Sequence, residues 1–384
     1  LGGTSSIFSS FSNPSFAWLR RSFEMISADT SKSKRKREEK KCEQQEYVQN
    51  DGMEENVNTN PRNMDYRYYL DAIDKRRKNG VSSNTIIGHV DCQHEHEQEL
   101  ANTNGGMLTS KLVSLVRSDQ DIHEAVKMWC TDPTRALTEY GHISEWNTSR
   151  VTTMIKLFEN ESHFNDDISK WDVSSVKDMS DMFLRAYSFS GDVSRWNVSS
   201  VTCMSKMFAL SAFNGDISAW NVSHVNDISF MFSQTPFNGD LSKWNVSSVR
   251  DTSYMFQKTF TFNGDISNWN VSNVILMVGM FNEASSFDRD LSGWNVNKVT
   301  NMTGMFAEAE VFNGDISRWN VSSVIGMHSM LENASSFNGD ISRWNVSNVR
   351  DMQAMFRGAH SFNGDISGWN VSNVQNMISM FQDA

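Results

Sequence analysis

Apolar positions in the second half of the chain recur with a fixed period, and tryptophan marks it most clearly. Ten tryptophans from Trp146 to Trp369 follow one another at intervals of 24 or 25 residues. Such spacing is typical of repeat proteins, in which each unit buries its apolar face against its neighbours. The pattern predicts a stack of about ten coils over residues 143–384, with the last unit incomplete at the C-terminus.

Within one unit the apolar spacing changes, and this change predicts two elements. In the unit of Trp319, the apolar residues from Ile316 to Val324 are spaced by three, two and three residues. This spacing resembles the strand-forming skeleton of leucine-rich repeats, with Trp319 and Val321 pointing inward. From Met327 to Ala334 the spacing becomes three and four, which predicts a short helix.

Strands that recur once per unit must run parallel, because about twenty residues separate each strand from the next. The predicted fold is therefore an α/β repeat. It is a right-handed parallel solenoid of about ten leucine-rich-repeat-like coils of 24–25 residues, each with a short strand and a short helix. Neighbouring strands lie about 4.8 Å apart, so the tryptophans are expected to stack as a ladder in the core.

A solenoid needs its first coil covered, since the coil otherwise exposes apolar surface and unpaired strand groups. The segment 121–129 has a helical pattern, and Asp132-Pro133 is a typical helix start that Gly141 would end. Residues 110–142 are therefore predicted to form a small helical N-terminal cap.

Two N-terminal regions precede this predicted cap. Residues 1–60 are predicted to be a disordered leader, Ser-rich at first, with a basic run at 32–37. An organelle transit peptide and a nuclear localisation signal are the alternatives for these two features. Residues 61–109 are predicted to be a mostly polar linker, with one helix at 65–78.

Cys92, His94 and His96 alternate like metal ligands on a strand. Their spacing matches no standard zinc pattern and no fourth ligand lies nearby, so a solvated polar loop is the preferred interpretation. We expect neither a metal nor another cofactor. The four cysteines show no disulfide framework.

Charge limits the possible partners. The chain has 384 residues and a formal net charge of -11, and no apolar run approaches the roughly 20 residues of a membrane helix. Residues 143–384 contain 16 Lys and Arg and 25 Asp and Glu, which gives a net charge of -9. Such a surface repels phosphate backbones, so nucleic acid is not expected as a partner.

The repeated motif N-G-D-I-S-x-W-N-V-S-x-V-x-x-M-x-x-M-F, with the entry segment from Ala125 to Trp146, resembles the BspA-like leucine-rich-repeat surface proteins. The resemblance covers roughly residues 121–384. It implies an interaction or adhesion protein, often exposed at the cell surface, without an established enzymatic activity. Most units here carry Asn after Trp, where those repeats often carry Asp, as at Asp172.

An aspartate precedes the isoleucine position in nine units. A carboxylate that caps the local turn is preferred over a calcium ladder, because only one acidic column is regular. The Met-Phe pairs are expected to pack in the core rather than bind metal. Seven Asn-Val-Ser sequons cannot all carry glycans at strand spacing, so an amide ladder from rung to rung is predicted for their asparagines.

The residue immediately before each tryptophan varies from unit to unit. Variation on a fixed scaffold is how repeat proteins shape a binding surface. Five of these residues are cations and form the candidate ligand-binding site on the exposed strand face: Lys170, Arg195, Lys243, Arg318 and Arg343. The alternative is a solvated row of charges.

The expected function is a non-enzymatic interaction or adhesion module that binds a protein or a surface polysaccharide through this face. An intracellular protein interaction scaffold is the alternative, because no secretory signal is visible. An enzyme is disfavoured, since no catalytic triad, Cys-His pair, phosphate loop or paired-histidine motif is present and no catalytic residue stands out.

Overall fold

The computed structural model describes residues 114–384. The first elements are a strand β1 at Val116–Ser118, a helix α1 at Ile122–Thr131 and a helix α2 at Pro133–Tyr140. A turn of 3-10 helix at Ile143–Glu145 and a strand β2 at Asn147–Arg150 follow, and β1 pairs with β2 in parallel.

Several predictions fall outside the described residues. They are the leader at 1–60, the linker at 61–109 with its helix at 65–78, and the group of Cys92, His94 and His96. The first four residues of the predicted cap, 110–113, also lie outside.

The two helices occupy the segments for which the sequence predicts helices. α2 follows Asp132, whose carboxylate accepts the backbone N–H of Arg135 at 3.0 Å. It ends at Gly141, where φ is +74° and a side chain would be strained. Trp129 of α1 packs edge-on against Trp146 of the first coil, with ring centroids 6.2 Å apart. The helices thus cover the first coil, and the three-residue strand β1 was not predicted.

Beyond β2 the chain forms repeated units of 24–25 residues, and each unit is a coil stacked in parallel on the next. We number the coils 1 to 10 by their tryptophans, from Trp146 to Trp369. Nine isolated parallel bridges join consecutive coils, from the pair Thr153 and Asp178 to the pair Asp351 and Asn376. The chain is a repeat protein.

The predicted short helix in each coil is wrong. In the described chain after Arg150, there is no α-helix, and the only strand pairing consists of isolated bridges. The Met segment, which is residues 326–334 in coil 8, instead carries the hydrogen bonds between coils. Its alternate N–H groups at positions 327, 329, 331 and 333 donate to carbonyls of coil 9.

Successive turns explain why a helix-like pattern gives a different structure here. Met330 donates its N–H to the carbonyl of Met327, and Ala334 donates to Leu331. These β-turns return apolar side chains to one face at the same spacing as a helix. Ser329 and Asn333 take left-handed φ values of 54° and 55°, which breaks the helix and turns the alternate N–H groups toward the next coil.

The predicted strand at Trp319 and Val321 is also wrong. The N–H groups of Arg318 and Asn320 have no acceptor among the described residues, and the parallel bridge lies at Gly326. The indole of Trp319 instead donates its Nε1–H to the carbonyl of Leu291 in the preceding coil, at 2.9 Å. The same bond recurs for all tryptophans of coils 2 to 10.

The spacing of the stacked rings goes with this difference. The stacked tryptophan rings from Trp244 to Trp369 lie 6.3–6.4 Å apart, whereas a strand ladder needs about 4.8 Å. The rings thus stack at a wider spacing than a strand ladder along the Trp segment, which is residues 315–324 in coil 8. The backbone ladder forms in the Met segment, and the N–H of Ile325, which joins the two segments, also bonds to the preceding coil, at the carbonyl of Thr300.

The core is a set of side-chain columns. The Trp, Val, Met and Phe positions of the coils are almost all buried. Phenylalanines form two further ladders, with spacings of 5.3–6.0 Å in the column of Phe281 and 5.9–6.3 Å in the column of Phe287. The residues that repeat most regularly therefore hold the coils together.

Candidate functional site

The outward side chains of the Trp segment form one striped surface, which we call the Trp-segment face. It consists of the Asp column, the column before Trp and the Asn column. In coil 8 these are Asp315, Arg318 and Asn320, and all three are exposed. Because the Trp segment has no backbone ladder, this is not the strand face that the sequence predicts.

The five predicted site residues all lie exposed on this face, in the column before Trp: Lys170, Arg195, Lys243, Arg318 and Arg343. Lys170 pairs with Glu145 of coil 1, with Nζ and Oε1 2.9 Å apart. No ion pair involves the other four within the described part of the chain.

The neighbouring Asp column changes the electrostatics of the face. Each aspartate accepts the backbone N–H of the residue two positions later, as Asp290 does from Ser292 at 2.7 Å. These bonds lower the pKa of Asp290, and Arg318 lowers it further. The expected locally basic column therefore runs beside a column of carboxylates, and the face carries both signs of charge.

Acid is expected to destabilise the stack through these carboxylates. Hydrogen bonds from the serine two residues later lower the pKa of eight aspartates: Asp167, Asp192, Asp216, Asp240, Asp265, Asp290, Asp340 and Asp365.

A folded-state pKa below the usual value of about 3.9 stabilises the fold above that pH, and the effect is lost as pH falls through the lowered values. Urea unfolding between pH 6 and pH 2 should show the midpoint falling below about pH 4. Asp216→Asn together with Asp240→Asn keeps the Oδ1 acceptors and should flatten this dependence. An unchanged dependence would show that Asp216 and Asp240 do not contribute to it.

The predicted amide ladder of the sequon asparagines is wrong. Oδ1 of Asn320 accepts the N–H of Ser322 in its own coil, at 3.2 Å. This bond closes a local turn, which Asp172 also makes with Ser174 in coil 2. Amides do bridge coils in another column, where Oδ1 of Asn313 accepts the N–H of Asn338 at 2.8 Å.

A depression on the Trp-segment face was not predicted. It has a volume of about 350 Å³ and lies between coils 6 and 7. Ser267, Asn268, Asn270, Gly293 and Asn295 line it, with Trp269 beneath. It forms because the column before Trp has a short Asn268 and then Gly293 between the cations of coils 5 and 8. The glycine in a variable column was the available sequence signal.

Cysteine chemistry does not point to catalysis in the described residues. Burial raises the pKa of the Cys130 thiol to about 12, and it also raises the pKa of Cys203. A thiol is nucleophilic only as thiolate, so neither is activated near neutral pH. Across residues 114–384, no group of three His, Cys, Asp or Glu side chains is placed to hold a metal ion.

Four overlapping segments of the chain match the model of one protein family. The segments are residues 131–236, 209–314, 231–338 and 312–384, and the family is described as "Mycoplasma protein of unknown function, DUF285". The matches extend together over residues 131–384. The chain belongs to the DUF285 family.

The DUF285 matches begin at the end of α1 and run through all ten coils. The family description names no activity, so the function has to be inferred from the Trp-segment face. No curated protein and no solved structure matches the chain. In the part of this DUF285 protein that the structure describes, no helix is long and apolar enough to cross a bilayer.

Proposed function

We propose that this DUF285 protein is a non-enzymatic interaction or adhesion module that binds a protein or a surface polysaccharide through the Trp-segment face. The observation that carries the proposal is the column before Trp. Its five cations are exposed, and its residue type changes from coil to coil. The columns on either side instead carry Asp and Asn in nearly every coil. A repeated scaffold with one varied, exposed column is suited to recognition.

We also propose a type of repeat for the coils. The chain would be a right-handed, BspA-like leucine-rich-repeat solenoid of the kind found on microbial surfaces. The motif N-G-D-I-S-x-W-N-V-S supports this resemblance. The parallel stacking of consecutive coils is compatible with it.

Charge reversal in this column tests the proposal. Arg318→Glu with Arg343→Glu should reduce binding to the protein's ligand at least tenfold, because both guanidinium groups are exposed on the Trp-segment face. A pull-down with cell-surface extracts and soluble polysaccharides measures this. The substitutions should leave the fold intact, since coil 1 carries Glu145 at the same position.

Arg350→Glu is the matched control. Arg350 is also exposed but follows the valine position rather than preceding Trp, so its reversal should leave binding unchanged. Undiminished binding by the double variant would exclude this face as the site. Equal losses in the control would indicate non-specific charge attraction.

A further inference from the structure

The depression between coils 6 and 7 is rich in hydrogen-bond donors that lack an acceptor. Asn270 and Asn295 use Oδ1 to accept the N–H of Ser272 at 3.2 Å and of Asn297 at 3.3 Å. Their Nδ2 groups donate to nothing in the described structure, and the Asn268 side chain has no partner there. The backbone N–H groups of Asn270 and Asn295 also lack acceptors within residues 114–384. Several donors thus line one small concave surface.

Cations stand at both ends of the depression. Lys243 precedes Asn268 in the column before Trp, and Arg318 follows Gly293, with the coils spaced 6.3–6.4 Å apart at their tryptophans. Neither cation has an ion-pair partner among the described residues. Amide donors between two cations favour an anionic group.

The rim also carries acceptors. Asp265 and Asp290 are exposed beside the depression, and each accepts hydrogen bonds only from the serine two residues later. Their remaining oxygen atoms can accept hydrogen bonds from ligand hydroxyls. A ligand that combines a carboxylate with hydroxyl groups therefore matches both sets of groups.

We infer that the depression binds one uronate residue of an acidic polysaccharide. The sugar carboxylate takes the amide donors of Asn268, Asn270 and Asn295, and its hydroxyls donate to Asp265 and Asp290. The polymer continues along the column toward Lys243 and Arg318. The volume of about 350 Å³ is within the range of small-ligand sites. This inference rests on the proposed function and names the ligand class.

An acidic peptide fits the same surface less well. Its carboxylates would also meet the amides and cations, but its donors for Asp265 and Asp290 are backbone N–H groups, set apart from the side-chain carboxylate. On a uronate the hydroxyls and the carboxylate lie on one ring, so a single residue can reach both sets of groups. The aspartates of the rim therefore favour a sugar acid.

Binding of hexagalacturonate to the folded protein tests the inference, with calorimetry as the readout. Maltohexaose is the neutral control and a short polyglutamate is the peptide control. The expected result is binding of hexagalacturonate alone. Absence of binding, or equal binding of polyglutamate, would overturn the assignment to a uronate.

Filling the depression gives the first variant. Gly293→Leu adds a side chain whose Cβ meets only the carbonyl of Ser267, at 3.5 Å, and other coils carry long side chains at this position. The fold should tolerate it, while hexagalacturonate binding falls at least tenfold. Gly368→Leu in coil 10 is the matched control, because a Cβ there meets nothing within 4 Å. It should bind within twofold of the unmodified protein.

Removing a donor gives the second variant. Asn295→Asp keeps the oxygen that accepts the N–H of Asn297 but replaces the free amide with a carboxylate. Asp172 makes the same turn in coil 2, so the fold is preserved. We expect at least a tenfold loss of binding, and Asn370→Asp in coil 10 should change it less than twofold.

The outcomes separate this inference from the proposed function. If Gly293→Leu and Asn295→Asp bind as tightly as the unmodified protein, the depression is not the site. If the reversal of Arg318 and Arg343 still weakens binding in that case, the Trp-segment face remains the binding surface. If neither set of variants has an effect, both proposals fail.

Discussion

Trp319→Ala is expected to destabilise the coil stack by about 3–5 kcal/mol, the usual cost of removing a buried tryptophan. Trp319 is 3% exposed and stacks between Trp294 and Trp344, at 6.3 Å from each. Its Nε1–H also bonds to the Leu291 carbonyl of the preceding coil. The substitution would remove the stacking at two coil boundaries and the bond at one of them.

Trp319→Phe separates these two contributions. The smaller ring stays in the stack, but the Leu291 carbonyl keeps only the backbone N–H of Trp294 as a donor. We expect a loss of roughly 1–3 kcal/mol, between the unmodified protein and the alanine variant. Urea unfolding followed by circular dichroism measures both values. Equal stability of all three proteins would show that the tryptophan column does not hold the coils together.

Phe281→Ala should also cost about 3–5 kcal/mol. Phe281 is fully buried and stacks on Phe256 at 5.7 Å and on Phe306 at 5.5 Å. Phe287 of the same coil lies 4.0 Å away. Alanine would leave a cavity where two ladders meet, and the same urea unfolding experiment measures the loss.

Phe281→Leu is the control, because coil 8 carries Leu331 at this position and buries it completely. Leucine fills most of the space, so we expect a loss of about 1–2 kcal/mol, mainly from aromatic pairing. If leucine were as damaging as alanine, coil 8 would have to be packed differently from its neighbours.

The repeat and its buried positions could be predicted from the sequence because they depend only on periodicity. Trp319, Val321 and Met330 are buried as expected. The element types could not be predicted in the same way. A series of β-turns and a helix place apolar residues at the same intervals, so Met327 to Ala334 fits both. The left-handed conformation of Asn333 agrees with the preference of asparagine, and Gly358 occupies the same position in the next coil, but Ser329 itself gives no such signal.

The candidate site was predictable in one respect only. Exposure of the column before Trp follows from its position between buried residues, and its variation singles it out. The neighbouring carboxylates and the depression depend on how side chains of different coils meet. Asn320 shows the difficulty, since an amide that accepts a bond within its own coil looks the same in sequence as one that bridges coils.

The protein thus separates stability from recognition. Repeated Trp, Phe and Met side chains and the Met-segment hydrogen bonds hold the coils together, while Asp315 and Asn320 close local turns. Apart from the exposed pair of Lys170 and Glu145, the side chains of the varied column make no such contacts in the described structure. This is the physical basis for assigning binding to that column.

Amide hydrogen exchange across coil 8 tests this division most directly. The structure predicts slow exchange at Met327, Ser329, Leu331 and Asn333, whose N–H groups bond to coil 9. It predicts fast exchange at Arg318 and Asn320, which have no acceptor in the described structure. Slow exchange at Arg318 and Asn320, with fast exchange at positions 327, 329, 331 and 333, would contradict the assignment of the hydrogen-bond ladder to the Met segment. The ladder would then run through the Trp segment, and the proposed binding face would be part of a sheet.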